Sequence, residues 1–240
     1  MNKTWVVLND LQIPWHDAPV LQLVLRFIRD LQPHGVILNG DVVDCYAIST
    51  YDKNPLRRAG LQREITLAQH LMASLEPLKE KIWLGGNHED RLRRYLWKNP
   101  QFADLDSLTF SKLFRLGEHG FSYYPYGRHW MLGKLMVTHG FMVRSHSGVS
   151  ARSHFDRLGT SCLVGHTHRL GVYYKTNVRG QHAAYENGCL CRLDPEYVQN
   201  PDWQQGFSVV TVMENGYYNV VQVPILHRRM FFYGKEEWTR

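Results

Sequence analysis

At 240 residues, 44% hydrophobic and 21% charged, the chain is long enough to bury a full core as one α/β or two-sheet domain, and it reads as a single domain over 1–240. Its net charge of +6 suggests an anionic partner, but the 28 basic residues are scattered, so charge alone does not specify nucleic acid. Cys45, Cys162, Cys189 and Cys191 lack both zinc-ribbon spacing and the density of a secreted disulfide scaffold and read as small core residues; the apolar run 5–8 is too short for a signal-peptide core or a membrane span, so a cytoplasmic protein without membrane association is expected.

The run 5–8 (Trp-Val-Val-Leu) reads as a buried strand and stops two residues before Asp10. Residues 18–31 place Val20, Leu21, Val24, Leu25, Ile28 and Leu31 at helical spacing, and Pro33 and Gly35 return the chain to a second strand at 36–38. That strand runs into Asn39-Gly40-Asp41. A second helical pattern at 61–75 leads to a third strand at 82–84, before Asn87. This β-α-β-α-β order predicts parallel pairing with right-handed crossovers. A helical stretch is expected from 102 to 116, then antiparallel strands at 121–124 and 130–137 feeding a second sheet. Two more apolar runs, 135–137 and 162–164, precede His139 and the pair His166 and His168. Segments 207–213 and 217–223 flank Asn215-Gly216 and predict a hairpin. Segments 44–60 and 141–152 lack periodicity and read either as loops that shape substrate access or as solvated surface loops.

Five apolar runs thus end at metal-ligand residue types, and in an open α/β sheet that carboxyl edge is where ligands bind. Asp41 is the candidate bridge between two divalent ions, because its preceding glycine permits a sharp turn directly after a buried strand. Asp10 would bind one ion, with His168 in reach. Asn87, His139 and His166 would bind the other. A lone His-x-His or a lone Asp after a strand is usually incidental; the combined order of five such strand ends is far more specific. The donors are carboxylate, amide and imidazole, which suits Mn²⁺, Fe or Zn²⁺, with Mn²⁺ as the working assignment.

Asp10, Gly40-Asp41 with Asp44, Gly86-Asn87-His88-Glu89, His139-Gly140 and Gly165-His166-Thr167-His168 together resemble the calcineurin-like metallophosphoesterase superfamily, over roughly residues 5–170. The resemblance implies two packed mixed β-sheets flanked by helices, a four-layer α-β-β-α sandwich. It also implies phosphoester hydrolysis at a two-metal centre, by in-line attack of a metal-bridging hydroxide with His88 facing the phosphate and assisting. One departure is that Asp10-Leu11-Gln12 stands where the family usually has Asp-x-His. Gln12 is expected as a weak first-metal ligand, and His16 is a further candidate there. Asp44 reads as an orienter of a histidine. Glu89 and Asp90 should favour the N-terminus of a helix at 91–97. Arg91, Arg93 and Arg94 read as a solvated basic face, with phosphate contact as the alternative.

Three functions follow. A phosphodiesterase or nuclease acting on nucleic acid or nucleotides draws on Arg57, Arg58, Arg144 and Arg152 near the expected mouth and on Tyr46, Tyr51 and Phe141 as stacking surfaces. A phosphomonoesterase, including a protein serine/threonine phosphatase, is disfavoured because Cys45-Tyr46 stands where such enzymes carry Arg-Gly, removing a bidentate phosphate contact. A non-catalytic scaffold would be expected to have lost ligands that this chain keeps.

Overall fold

The computed structural model describes residues 2–57, 60–196, 198–232 and 235–238; Arg58 lies outside them. The first half follows the expected alternation. Strand β1 (Lys3–Leu8) leads to helix α1 (Ala18–Leu31), β2 (Gly35–Asn39), α2 (Leu61–Ser74), β3 (Glu80–Leu84) and α3 (Asp90–Lys98). Strand β1 pairs parallel with β2, and β2 with β3. Helix α1 forms because an apolar stripe recurs at helical spacing: Val20, Leu21, Leu23, Val24, Phe27 and Ile28 are all buried. Asp17 caps its start by accepting from the Val20 amide at 3.3 Å. Gln32 ends it in a left-handed turn at φ 48°.

The segment after α3 differs from expectation. Instead of one helix over 102–116 the chain makes two 3-10 turns and a single-turn helix α4 (Phe110–Leu113). Strand β4 (Ser122–Tyr124) does not join the second sheet; it pairs parallel with β3 at the edge of the first. Phe110, Phe114 and Phe121 pack their rings around the buried Trp83, which pins the chain beside β3. Strands β5 (Trp130–Leu132) and β6 (Leu135–Thr138) then form an antiparallel hairpin in the second sheet, as expected for 130–137. Helix α5 (Val149–Leu158) begins within the segment read as a loop, because its buried face includes Ser150 and His154 and hides the apolar periodicity.

Strand β7 (Cys162–Val164) lies parallel to β6, and the hairpin β8 (Leu170–Asn177) and β9 (Gly180–Asn187) completes the second sheet in the order β5-β6-β7-β9-β8. The hairpin β10 (Gly206–Val212) and β11 (Tyr218–Leu226) forms where Asn215-Gly216 predicts it, with Val212 opposite Tyr218. With β12 (Arg229–Phe232) and β13 (Lys235–Trp238) it extends the first sheet, whose order is β13-β12-β11-β10-β1-β2-β3-β4.

Side chains alternate across each strand, which gives the fold its layers. From β1, Trp5 and Val7 point inward and pack with Ile37, Ile82, Leu135, Val137 and Leu163 between the two sheets. Val6 and Leu8 point outward into a core with α1 and α2, while Cys162 and Val164 pack outward against Ala151 and Phe155 of α5. The result is the expected sandwich of helices, two sheets and a helix. A charge at Val7 would bury an unpaired ion between the sheets, costing several kcal/mol. No helix among the described residues is long and apolar enough to cross a membrane.

Candidate metal centre

Strands β1, β2 and β3 of one sheet and β6 and β7 of the other end at the same edge, so the five strand-end loops meet there. The chain turns back sharply after β1, β2 and β7. Asp10, Gln12 and Asp41 all have φ of 50°, His166 has 69° and His168 has 59°. Left-handed backbone at a non-glycine residue costs roughly 1–2 kcal/mol and persists only where the surroundings hold it, as at functional sites. Two glycines make room: a methyl group at Gly40 would collide with the His139 ring, and one at Gly86 with the Asp41 carboxylate.

Four residues cluster on the β2, β3, β6 and β7 ends. His139 Nδ1 donates to the Asn39 carbonyl at 2.9 Å, which leaves Nε2 facing Asp41 Oδ2 at 3.3 Å and Asn87 Oδ1 at 3.2 Å. Asp41, His139 and His166 each present a ligand atom within 4.8 Å of the others. Burial opposes a charge on His139, but Asp41 outweighs it and pushes the imidazole up to about 10, while the Asp41 carboxyl lies well below its usual range. Burial and the neighbouring His139 pull His166 down to about 4, so it is neutral. Three acceptors converging on one point require a positive charge between them, either a proton or a cation, and so the donor set fits a divalent ion.

The second group lies at the β1 end. His168 Nε2 is 3.2 Å from Asp10 Oδ1 and 3.3 Å from the Gln12 amide nitrogen; a half-turn of that amide brings its oxygen to the same place. Asp10 Oδ1 is buried with the His168 ring beside it but no well-aligned hydrogen bond among the described residues, whereas Oδ2 accepts from the His166 amide at 2.9 Å. An orphaned buried carboxylate oxygen beside an imidazole and an amide again suits a cation. His16 is elsewhere: its backbone bridges Cys191, it lines a surface pocket with Asp17 and Arg192, and its Nδ1 has no hydrogen-bond partner among the described residues.

His88 sits between the metal-ligand candidates and solvent. Its Nδ1 lies 3.0 Å from Asp44 Oδ1, its Nε2 3.6 Å from Asp41 Oδ2, and its backbone amide donates to Asp41 Oδ1 at 2.9 Å. His88 and then Arg91 hold Asp44 below the ordinary carboxylate range against burial. Arg91 is not a solvated helix residue. Its Nη1 donates to the Asp44 carboxylate at 2.8 Å and its Nη2 approaches His88 Nε2 at 3.2 Å. Arg57 is stacked between Trp15 and Tyr46 and lies 3.6 Å from Asp44. Arg152 instead pairs with Asp156 along α5.

Several contributors were not legible in the sequence. Glu89 does not serve the α3 terminus; it is buried and accepts from the amides of Gly86, Asp41 and Val42 at 2.7–2.9 Å, fixing the Asp41 turn. Glu186 accepts from Thr167 Oγ1 and the Ala151 amide, both at 2.9 Å. His154 Nε2 accepts from the Phe141 amide at 3.0 Å and holds the turn after His139. Cys189 and Cys191 are buried, as expected of core residues, but they gather with His168, and Cys191 Sγ lies 3.6 Å from His168 Nδ1. Glu89 did carry a sequence signal, as part of the Gly86-Asn87-His88-Glu89 motif, but its role as a buried anchor for the Asp41 turn did not show there.

Comparison with known proteins gives the family. The family model for calcineurin-like phosphoesterases matches residues 4–170. The Gene 54 protein of Mycobacterium phage D29 is 30% identical over 238 residues, covering 90% of this chain and 91% of its own length; that of phage L5 is 29% identical, covering 88% and 90%. Vacuolar protein sorting 29 from Cryptosporidium parvum aligns over 100% of this chain and 99% of its own at 17% identity and a TM-score of 0.49. With the family's motifs carried on five strand ends that meet at one edge, the chain belongs to the calcineurin-like phosphoesterase family.

Proposed function

We propose that the protein is a phosphodiesterase that hydrolyses phosphodiester bonds of nucleic acid or nucleotides at a centre for two divalent ions, with Mn²⁺ as the working metal. Asp41 with Asn87, His139 and His166 would hold one ion, and Asp10, Gln12 and His168 the other. Such a pair supplies charge neutralisation for the phosphoryl group and activation of water.

The protein's own residues supply the rest. Asp44 accepts the Nδ1 proton of His88 and turns Nε2 towards Asp41, so that the imidazole faces the place where a phosphoryl oxygen would develop charge. Nε2 accepts from Arg91 Nη2 here; a proton taken up at that nitrogen in place of this contact would serve the leaving oxygen. The observation that carries the reading is this Asp44–His88–Asp41 line beside the converging ligand set. Preference for a diester is supported by Arg91: both its contacts to Asp44 use Nη1 and its Nη2 faces His88, so its guanidinium is committed within the protein and not offered as a fork to a monoester dianion.

The test compares bis(4-nitrophenyl) phosphate with 4-nitrophenyl phosphate on metal-stripped protein reloaded with Mn²⁺. Metal-dependent turnover favouring the diester is expected. Preference for the monoester would overturn the diester assignment, and failure of both substrates with metal bound would overturn the hydrolase.

A further inference from the structure

Helix α3 starts three residues after Asn87 and carries Asp90-Arg91-Leu92-Arg93-Arg94-Tyr95-Leu96-Trp97-Lys98, four cations against one acid. Arg91, Arg94, Tyr95 and Lys98 stand at i, i+3, i+4 and i+7, one helical face about 10 Å long. Facing them is the segment from Ala47 to Tyr51. The two walls enclose a groove of about 350 Å³ whose lining includes Asn87, within the size range of small-ligand sites. It therefore opens directly onto the candidate metal centre. Asp90 is buried and binds Arg94 through Nε at 2.7 Å, which steadies the guanidinium while the side chain stays 63% exposed. Tyr51 is 71% exposed, and Arg91 lies 5.6 Å from the centre of its ring.

A cationic wall with exposed tyrosines is chemistry for a phosphodiester backbone that carries flat bases. Cations track phosphates whatever the sequence, and an aromatic face stacks on any base that is not already stacked in a duplex. We propose that this groove is a subsite for the nucleotide flanking the scissile phosphodiester of a single strand. Its phosphate lies against Arg94 and Lys98 and its base against Tyr51 or Tyr95. The proposal rests on the diesterase reading of the site and adds that an extended single strand is preferred over a small diester and over a duplex.

The Mn²⁺-loaded protein is assayed on a fluorescent single-stranded oligonucleotide of about ten nucleotides, its duplex, and bis(4-nitrophenyl) phosphate. Relative to the parent, Arg94→Gln with Lys98→Gln is expected to lower the oligonucleotide-to-chromogenic ratio of kcat/KM about tenfold and to flatten its salt dependence. Tyr51→Ala should lower the same ratio at least about fivefold. These side chains are exposed, and circular dichroism melting checks that each variant folds. A ratio unchanged in all variants, or a duplex cleaved faster than the strand, overturns the subsite. Anisotropy of the strand with Ca²⁺ in place of Mn²⁺ reads binding without turnover. Binding that the variants weaken, in a protein inactive on every diester, would uphold the groove and sink the diesterase reading; active chromogenic turnover with unaltered strand binding in the variants would do the reverse.

Discussion

The two halves of the candidate centre are built differently. On the Asp41 side each ligand candidate is over-determined: Glu89 anchors the Asp41 turn through several amides, Gly40 and Gly86 let the loops touch, and the Asn39 carbonyl sets the His139 tautomer. On the Asp10 side there is an orphaned carboxylate oxygen, an amide where the family usually has imidazole, and a sulfur instead of a carbonyl or carboxylate behind His168. Polar groups locked by backbone partners hold geometry without the ion, whereas a softer set relies on the ion to complete it. Metal affinity should therefore be unequal, with the Asp10 side the weaker.

The largest test of that inequality is Asp41→Asn, which removes the carboxylate of the more rigid side. Turnover of the diester is expected to fall roughly 10³-fold, against about 10²-fold for Asp10→Asn. Equal losses in steady-state kinetics would erase the asymmetry. His88→Ala separates chemistry from metal holding. Turnover should drop about 10²-fold while elemental analysis finds both ions retained, and a variant with parental turnover would remove His88 from the reaction.

Cys191 sharpens the comparison on its weaker side. Cys191→Ala is expected to weaken one Mn²⁺ site about tenfold in calorimetric titration and leave the other intact, with Cys191→Ser restoring much of the loss. An equal effect on both sites would count against the contact with His168.

The smallest effect probes the scaffold behind Asp44. Glu64 is buried, accepts from the Cys45 amide at 2.5 Å, and burial pushes its carboxyl from an ordinary 4.5 up to about 8. The unfolded chain loses this proton near pH 4.5 and the fold keeps it until about 8, so the stability it contributes is complete below about 4.5 and is lost as pH rises through 8. Glu64→Gln should shrink the fall in Tm between about pH 5 and about pH 9 by several °C in scanning calorimetry. An unaltered fall would mean that Glu64 is ionised in the fold.

The β-α-β-α-β half, the Asn215-Gly216 hairpin and the residue types at the strand ends were legible in the sequence, because apolar period and turn chemistry are local properties of the chain. The sequence misjudged β4 and α5. The parallel place of β4 depends on three phenylalanines around Trp83, and the buried face of α5 includes Ser150 and His154, satisfied by backbone amides of the preceding turn. It took the folded chain to reveal that Glu89 buttresses Asp41, that Arg91 is spent on Asp44 and His88, that His16 sits apart and that Cys191 stands behind His168. These are contacts between residues far apart in the chain or across a turn. What a charged or sulfur-bearing side chain does there depends on which backbone amides, carboxylates and rings the fold brings to it.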